Sequence, residues 1–119
     1  MPAELTHERA NLYRIDISGV LRHQELAACE QAMVAEIARV GPVRLLVVLV
    51  DFQGWATGTD WNDLSFYARY GDKIDRIALV GPERWRSEAL MFASADLRRA
   101  PVQYFTDSDR SAAETWVAS

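Results

Sequence analysis

Hydrophobic and polar positions repeat along this chain with two different periods, and each change of period marks an element. In "NLYRIDISG" the apolar Tyr13, Ile15 and Ile17 alternate with Arg14 and Asp16, which predicts a strand with one buried side. The preceding stretch, Glu4 to Glu8, fits a short edge strand joined by a turn near Arg9-Ala10-Asn11. From Arg22 to Val40 the apolar positions Leu26, Cys29, Met33, Ile37 and Val40 recur every three or four residues. That spacing predicts an amphipathic helix, and Gly41-Pro42 supplies its stop. "VRLLVVLVDF" follows as a near-continuous aliphatic run, the pattern of a central strand buried on both faces.

The second half continues the alternation. Asp60 to Tyr70 reads as a helix, with Thr59 or Asp60 as its cap and Gly71 as its stop. "RIALVG" is a third core strand, and Pro82 introduces a helix that runs through roughly Leu97. "PVQYF" is a shorter strand opened by Pro101, which suits a sheet edge. "DSDRSAAETWVA" closes the pattern as a capped helix carrying Trp116 and Val117 inward. Regular alternation of strand and helix argues for an α/β fold with a largely parallel sheet. No repeat, low-complexity tract or linker interrupts it, so residues 1–119 are expected to form one domain.

Composition narrows the function more than the fold. A chain of 119 residues, half of them hydrophobic and a quarter charged, can build a core without disulfides or metals. A net charge of −4 argues against nucleic acid as a partner, because phosphate neutralisation needs a surplus of Lys and Arg. Arg98-Arg99 is the one close basic pair on the late loop. Cys29 is the sole cysteine, so an internal disulfide is impossible and a reducing, cytoplasmic setting is expected. Its helical neighbours make it a small buried hydrophobe, against the sharper reading of a reactive thiol. His7 and His23 belong to no metal-ligand spacing. The first residues lack the basic start and apolar stretch of a signal peptide. No apolar run approaches the ~20 residues of a membrane span.

The glycine loop after the central strand, Gly54 to Thr59, lies where α/β proteins place ligands. It matches neither G-x-x-x-x-G-K-[ST] nor G-x-G-x-x-G, and no lysine is near it. Asp60 and Asp63 would occupy the first helical turn and repel a phosphate. A nucleophile elbow is absent, and paired acids such as Asp107/Asp109 sit at helix starts, where capping explains them. No catalytic residue, metal or cofactor is expected.

Aromatic placement is the remaining signal. In the helix over 60–70, Trp61, Leu64, Tyr67, Ala68 and Gly71 form one face, while Phe66 and Tyr70 point to nearly the opposite side. In the next helix Trp85, Ala89 and Phe92 form a stripe, with Leu90, Met91 and Leu97 away from it. Core packing accounts for both patterns; an exposed patch or a cavity for an acyl-like ligand is the alternative. Trp55, between Gly54 and the cap, has no assigned core role. The candidate partner or ligand surface is therefore Phe52, Trp55, Phe66, Tyr70, Trp85, Met91 and Phe92.

The stretches "YRIDISGVL", "RLLVVLVDFQGW" and "DWNDLSFYARYGDKIDRIALVGPERW" resemble the SpoIIAA-like family. The resemblance runs over about residues 11 to 118 and is most specific at D-F-x-G-W, W-x-D-L and R-I-A-x-V-G followed by R-W. That family belongs with the STAS domains and is related in fold to the lipid-binding lobe of CRAL–TRIO proteins. The resemblance implies a four- to five-stranded sheet in near-sequential order with alternating helices, and no established catalysis. Sequential order puts the crossover helices on one face, so a dimer or an extra element should cover the other; a homodimer is the expectation. Anti-sigma antagonists of the wider group carry a phosphorylated serine just after the strand-terminal Asp. Here Phe52 and Gln53 follow Asp51, so that switch does not carry over. The function expected is a non-enzymatic binding or regulatory module acting through protein–protein contacts. The alternative is a carrier or sensor of an apolar small molecule or lipid, with peripheral membrane association.

Overall fold

A computed structural model describes residues 3–56, 69–93 and 100–119. Strand β1 (Ala3–Arg9) turns through Ala10 and Asn11 into the antiparallel strand β2 (Leu12–Leu21). Helix α1 (His23–Val40) then carries the chain back so that β3 (Val43–Trp55) lies parallel to β2. Strands β4 (Ile74–Val80) and β5 (Val102–Phe105) add in parallel, giving the order β1-β2-β3-β4-β5. Between the last two strands runs α2 (Arg86–Phe92), and α3 (Arg110–Ala118) follows β5. The fold is α/β with a mostly parallel sheet in sequential order, as the alternating pattern implied. Among the described residues no helix is long and apolar enough to cross a membrane.

Local chemistry explains the element ends. Glu25 reaches back to accept the Arg22 backbone N–H at 2.9 Å, satisfying a donor ahead of the first turn of α1. At its other end Gly41, with φ of 85°, lets the chain turn away while its N–H still donates to the Ile37 carbonyl at 2.8 Å. Two short 3-10 turns, Glu83–Trp85 and Asp107–Asp109, lead into α2 and α3.

The sheet has a core on each face. On one, Tyr13, Ile17 and Leu21 of β2 and Leu45, Val47 and Leu49 of β3 meet Cys29, Met33 and Ile37 of α1. On the other, Leu12, Leu46, Val48, Ala78 and Val80 meet Ala113 and Val117 of α3. The aliphatic run of β3 is thus buried on alternate sides, each such side chain contributing roughly 1.5–3 kcal/mol before entropy is counted. The second face was expected to need a dimer or an added element, and α3 is such an element over β3, β4 and β5. Arg44 donates to the Val117 carbonyl at 3.0 Å, and Arg76 to the Trp116 carbonyl at 2.6 Å. These cations satisfy carbonyls at the C-terminal end of α3, where the helix dipole favours positive charge.

Two expectations change. Gly54 and Trp55 belong to β3 rather than to a glycine loop. Beyond the pair Val48–Val80 strand β4 stops, but β2 continues to pair with β3 as Ser18–Val50, Gly19–Phe52, Val20–Gly54 and Leu21–Trp55. Asp51 and Gln53 are the extra residues of two successive bulges; Asp51 has φ of 49° and Gly54 φ of 109°. The helix expected from Pro82 to roughly Leu97 is observed as the turn Glu83–Trp85 and α2; residues 94–99 lie outside the described set. Most of the helix expected over 60–70, including Phe66, also lies outside it.

Candidate functional site

The bulged end of β3 gathers most of the candidate aromatics. Phe52 is 2 % exposed and forms the floor of the group. Its ring centroid lies 4.9 Å from that of Trp55 and 5.1 Å from that of Trp85, both edge-to-face. Trp55 and Trp85 meet at 5.8 Å, also edge-to-face, and Phe92 of α2 packs on Trp55 at 5.4 Å. Such geometries add about 0.5–1.5 kcal/mol per pair beyond burial. Trp55, which had no assigned core role, is half-buried within this cluster. The bulges explain why: they set Phe52 and Trp55 on the same side of the sheet, one above the other.

Both indole N–H groups, on Trp55 and Trp85, are buried and have no hydrogen-bond partner among the described residues. Unpaired buried donors are rare and are costly to maintain. Tyr70 is half-buried against the same core. Met91 differs from the rest: it is 75 % exposed and stands on α2 between Leu90 and Phe92, which pack against the core.

The start of α2 is fixed by charge. Arg86 pairs with Glu83 through two 2.8 Å hydrogen bonds and donates to the Tyr104 carbonyl at 3.2 Å. The Arg86 guanidinium holds the Glu83 carboxyl below the usual carboxylate range. Tyr104 donates its hydroxyl to the Pro82 carbonyl at 2.7 Å, and burial, then Asp107, pushes its ionisation up to about 12. The start of α2 is thereby anchored to β5.

Cys29 is buried beneath α1, and burial, then Glu30, pushes its thiol up to about 11. At that value it is a core residue and a poor nucleophile near neutrality. On the far face lies a feature the sequence did not single out. Glu4, Arg14, Asp16, Ser18, Val50 and Arg110 line a groove of about 380 Å³. Arg14 is already paired there, donating to Glu8 at 2.7 Å and to Asp16 at 3.1 Å. The polar positions of β2 were visible as alternation, but α3 forming the opposite wall was not.

A family model described as SpoIIAA-like matches residues 12–118. The chain belongs to the SpoIIAA-like family. Solved structures show the same fold. An uncharacterised protein with a SpoIIAA-like fold from Shewanella loihica PV-4 superposes with a TM-score of 0.71 at 16 % identity, covering 97 % of this chain and 91 % of that one. The anti-sigma factor antagonist SpoIIAA, in its unphosphorylated form, gives 0.63 at 10 % identity, covering 96 % and 97 %. No curated protein matches the chain significantly. In this SpoIIAA-like chain the residue after Asp51 is the buried Phe52, and the Gln53 amide donates to the Asp51 carbonyl at 3.3 Å.

Proposed function

We propose that this SpoIIAA-like chain is a non-enzymatic binding or regulatory module of the cytoplasm, acting as one domain. It works through contacts with a protein, a second copy or another, at the end of the sheet where β3 meets α2. The observation that carries this is Met91. It projects 75 % exposed from a helix whose other side, through Trp85, Ala89 and Phe92, is set in the core. A large, adaptable apolar side chain on a helix anchored to the sheet suits a protein interface. The fold shared with an anti-sigma factor antagonist supports the same reading.

Met91→Glu tests it, because an exposed position tolerates the change with little loss of stability. Co-purification and light scattering should show a complex with the unaltered protein and its loss in the variant. If Met91→Glu removes no complex that the unaltered protein forms, or if the unaltered protein forms none, the proposal is contradicted. Trp55→Ala is a poorer probe, since it also removes a ring from the cluster.

A second reading, a carrier or sensor of an apolar molecule or lipid, draws on the two indole donors that find no partner among the described residues. An amphipathic ligand with an oxygen acceptor among these rings would satisfy them. Native mass spectrometry after gentle purification and liposome flotation test it; no bound ligand and no flotation would contradict it.

A further inference from the structure

The face of the sheet opposite the aromatic cluster is only half covered. α3 runs antiparallel to the strands across β3, β4 and β5: Arg110 opens it beside Val50, and its last turn ends against Arg44 and Arg76. Over β1 and β2 no described element lies on this face, and Glu4, Arg14, Asp16 and Ser18 look out from it. A parallel pair such as β2–β3 is usually covered on both sides. Here Val20 and Val50, 43 % and 45 % exposed, stand uncovered at its upper end.

We propose that this half-face is a dimer interface: a second copy packs against it so that each α3 covers β1 and β2 of the other. The dimensions fit. From β1 to β3 is two strand spacings, about 10 Å, which is the width of one helix. The charges fit as well. On the β1 wall of the groove, Glu4 makes no ion pair among the described residues. On the α3 wall, Arg110 spends its Nε on Glu114 at 3.3 Å and keeps both terminal nitrogens free of described partners. A two-fold axis lying between the copies and parallel to the strands exchanges the two walls. It sets Glu4 opposite Arg110 of the second copy, and Arg110 opposite Glu4, in an isologous arrangement.

The same axis brings Val50 of each copy towards the centre of the interface. Arg14, held by Glu8 and Asp16, adds no unpaired charge there. The exposed positions of α3 are Ser111, Ala112, Glu114, Thr115 and Ala118; all but Glu114 are small, and Glu114 is paired with Arg110 of its own helix, so the two α3 helices can lie side by side between the sheets.

Sedimentation equilibrium over a wide concentration range tests this, with circular dichroism confirming that each variant folds. The unaltered protein should dimerise. Glu4→Arg and Arg110→Glu should each weaken the dimer at least tenfold in Kd, because symmetry makes every like-charge clash occur twice. The double variant restores both pairs with reversed sign and should recover most of the affinity. Val50→Arg, placed near the axis, should abolish the dimer. A monomer at every concentration, a dimer indifferent to these changes, or a double variant no tighter than the singles overturns the interface. The face shares no residue with the Met91 end. A Met91→Glu protein that loses another partner yet still dimerises through this face would therefore separate this inference from the proposed function.

Discussion

Trp85 closes over Gly54: the Cη2 atom of its indole lies 3.4 Å from where a β-carbon on that glycine would stand. The glycine also holds φ of 109°, a backbone conformation that side chains disfavour. A β-carbon there would touch the ring at ordinary van der Waals distance, so the backbone conformation, rather than lack of space, calls for glycine at position 54. The aromatic cluster is built where the ring meets the strand.

Gly54→Ala should accordingly cost about 1–3 kcal/mol, from backbone strain at that φ. Urea unfolding would show a lower midpoint at an unchanged slope, with altered tryptophan emission. An unchanged midpoint would mean that β3 does not hold this backbone conformation at position 54.

Gly81 is tighter still, with a β-carbon there falling 2.7 Å from the Tyr104 hydroxyl and 2.9 Å from Leu49 Cδ1. Gly81→Ala should cost about 1–3 kcal/mol by overpacking, and it should loosen the Tyr104–Pro82 hydrogen bond. Thermal unfolding measures the first effect and amide exchange near the start of α2 the second.

Stability should also fall in alkali. The fold keeps Tyr104 protonated up to about 12, whereas the unfolded chain releases that proton near the ordinary value of 10.0. Its contribution is full below pH 10 and is lost as pH rises towards 12, because the folded state then binds more protons. Tyr13 is shifted in the same direction, by burial and then by its hydrogen bond to Glu36. Thermal melts across that window should show a shallower fall for Tyr104→Phe than for the unaltered protein. Equal slopes would contradict the buried hydroxyl.

Cys29, 6 % exposed with its thiol pushed up to about 11, should resist alkylation in native buffer near neutral pH. Labelling should proceed through opening of the structure and accelerate with added urea. Prompt stoichiometric labelling would show a thiol that solvent reaches directly.

What the chain reveals about itself depends on how local the signal is. α1 was legible because Cys29, Met33 and Ile37 repeat at the helical period, and all three are buried. β3 was legible from Val43 to Phe52 because its near-continuous aliphatic run fits a strand covered on both faces. Its continuation to Trp55 was not, because Gln53-Gly54 following Asp51 reads locally as a turn. Only the pairing with β2, more than thirty residues earlier, makes bulges of Asp51 and Gln53. The candidate site divides in the same way. The stripe Trp85, Ala89 and Phe92 was visible as a helix face, but its meeting with Trp55 is a contact between distant segments. Met91 was separated from that stripe by angle alone, and its exposure follows from the packing of its neighbours.

The account rests on Met91 marking a surface that another protein covers. A photo-crosslinking amino acid placed at position 91 in the native host tests this most directly, with position 31, exposed on α1, as control. The account predicts a discrete protein adduct from position 91, absent from position 31. No adduct, or the same adducts from both positions, would contradict it.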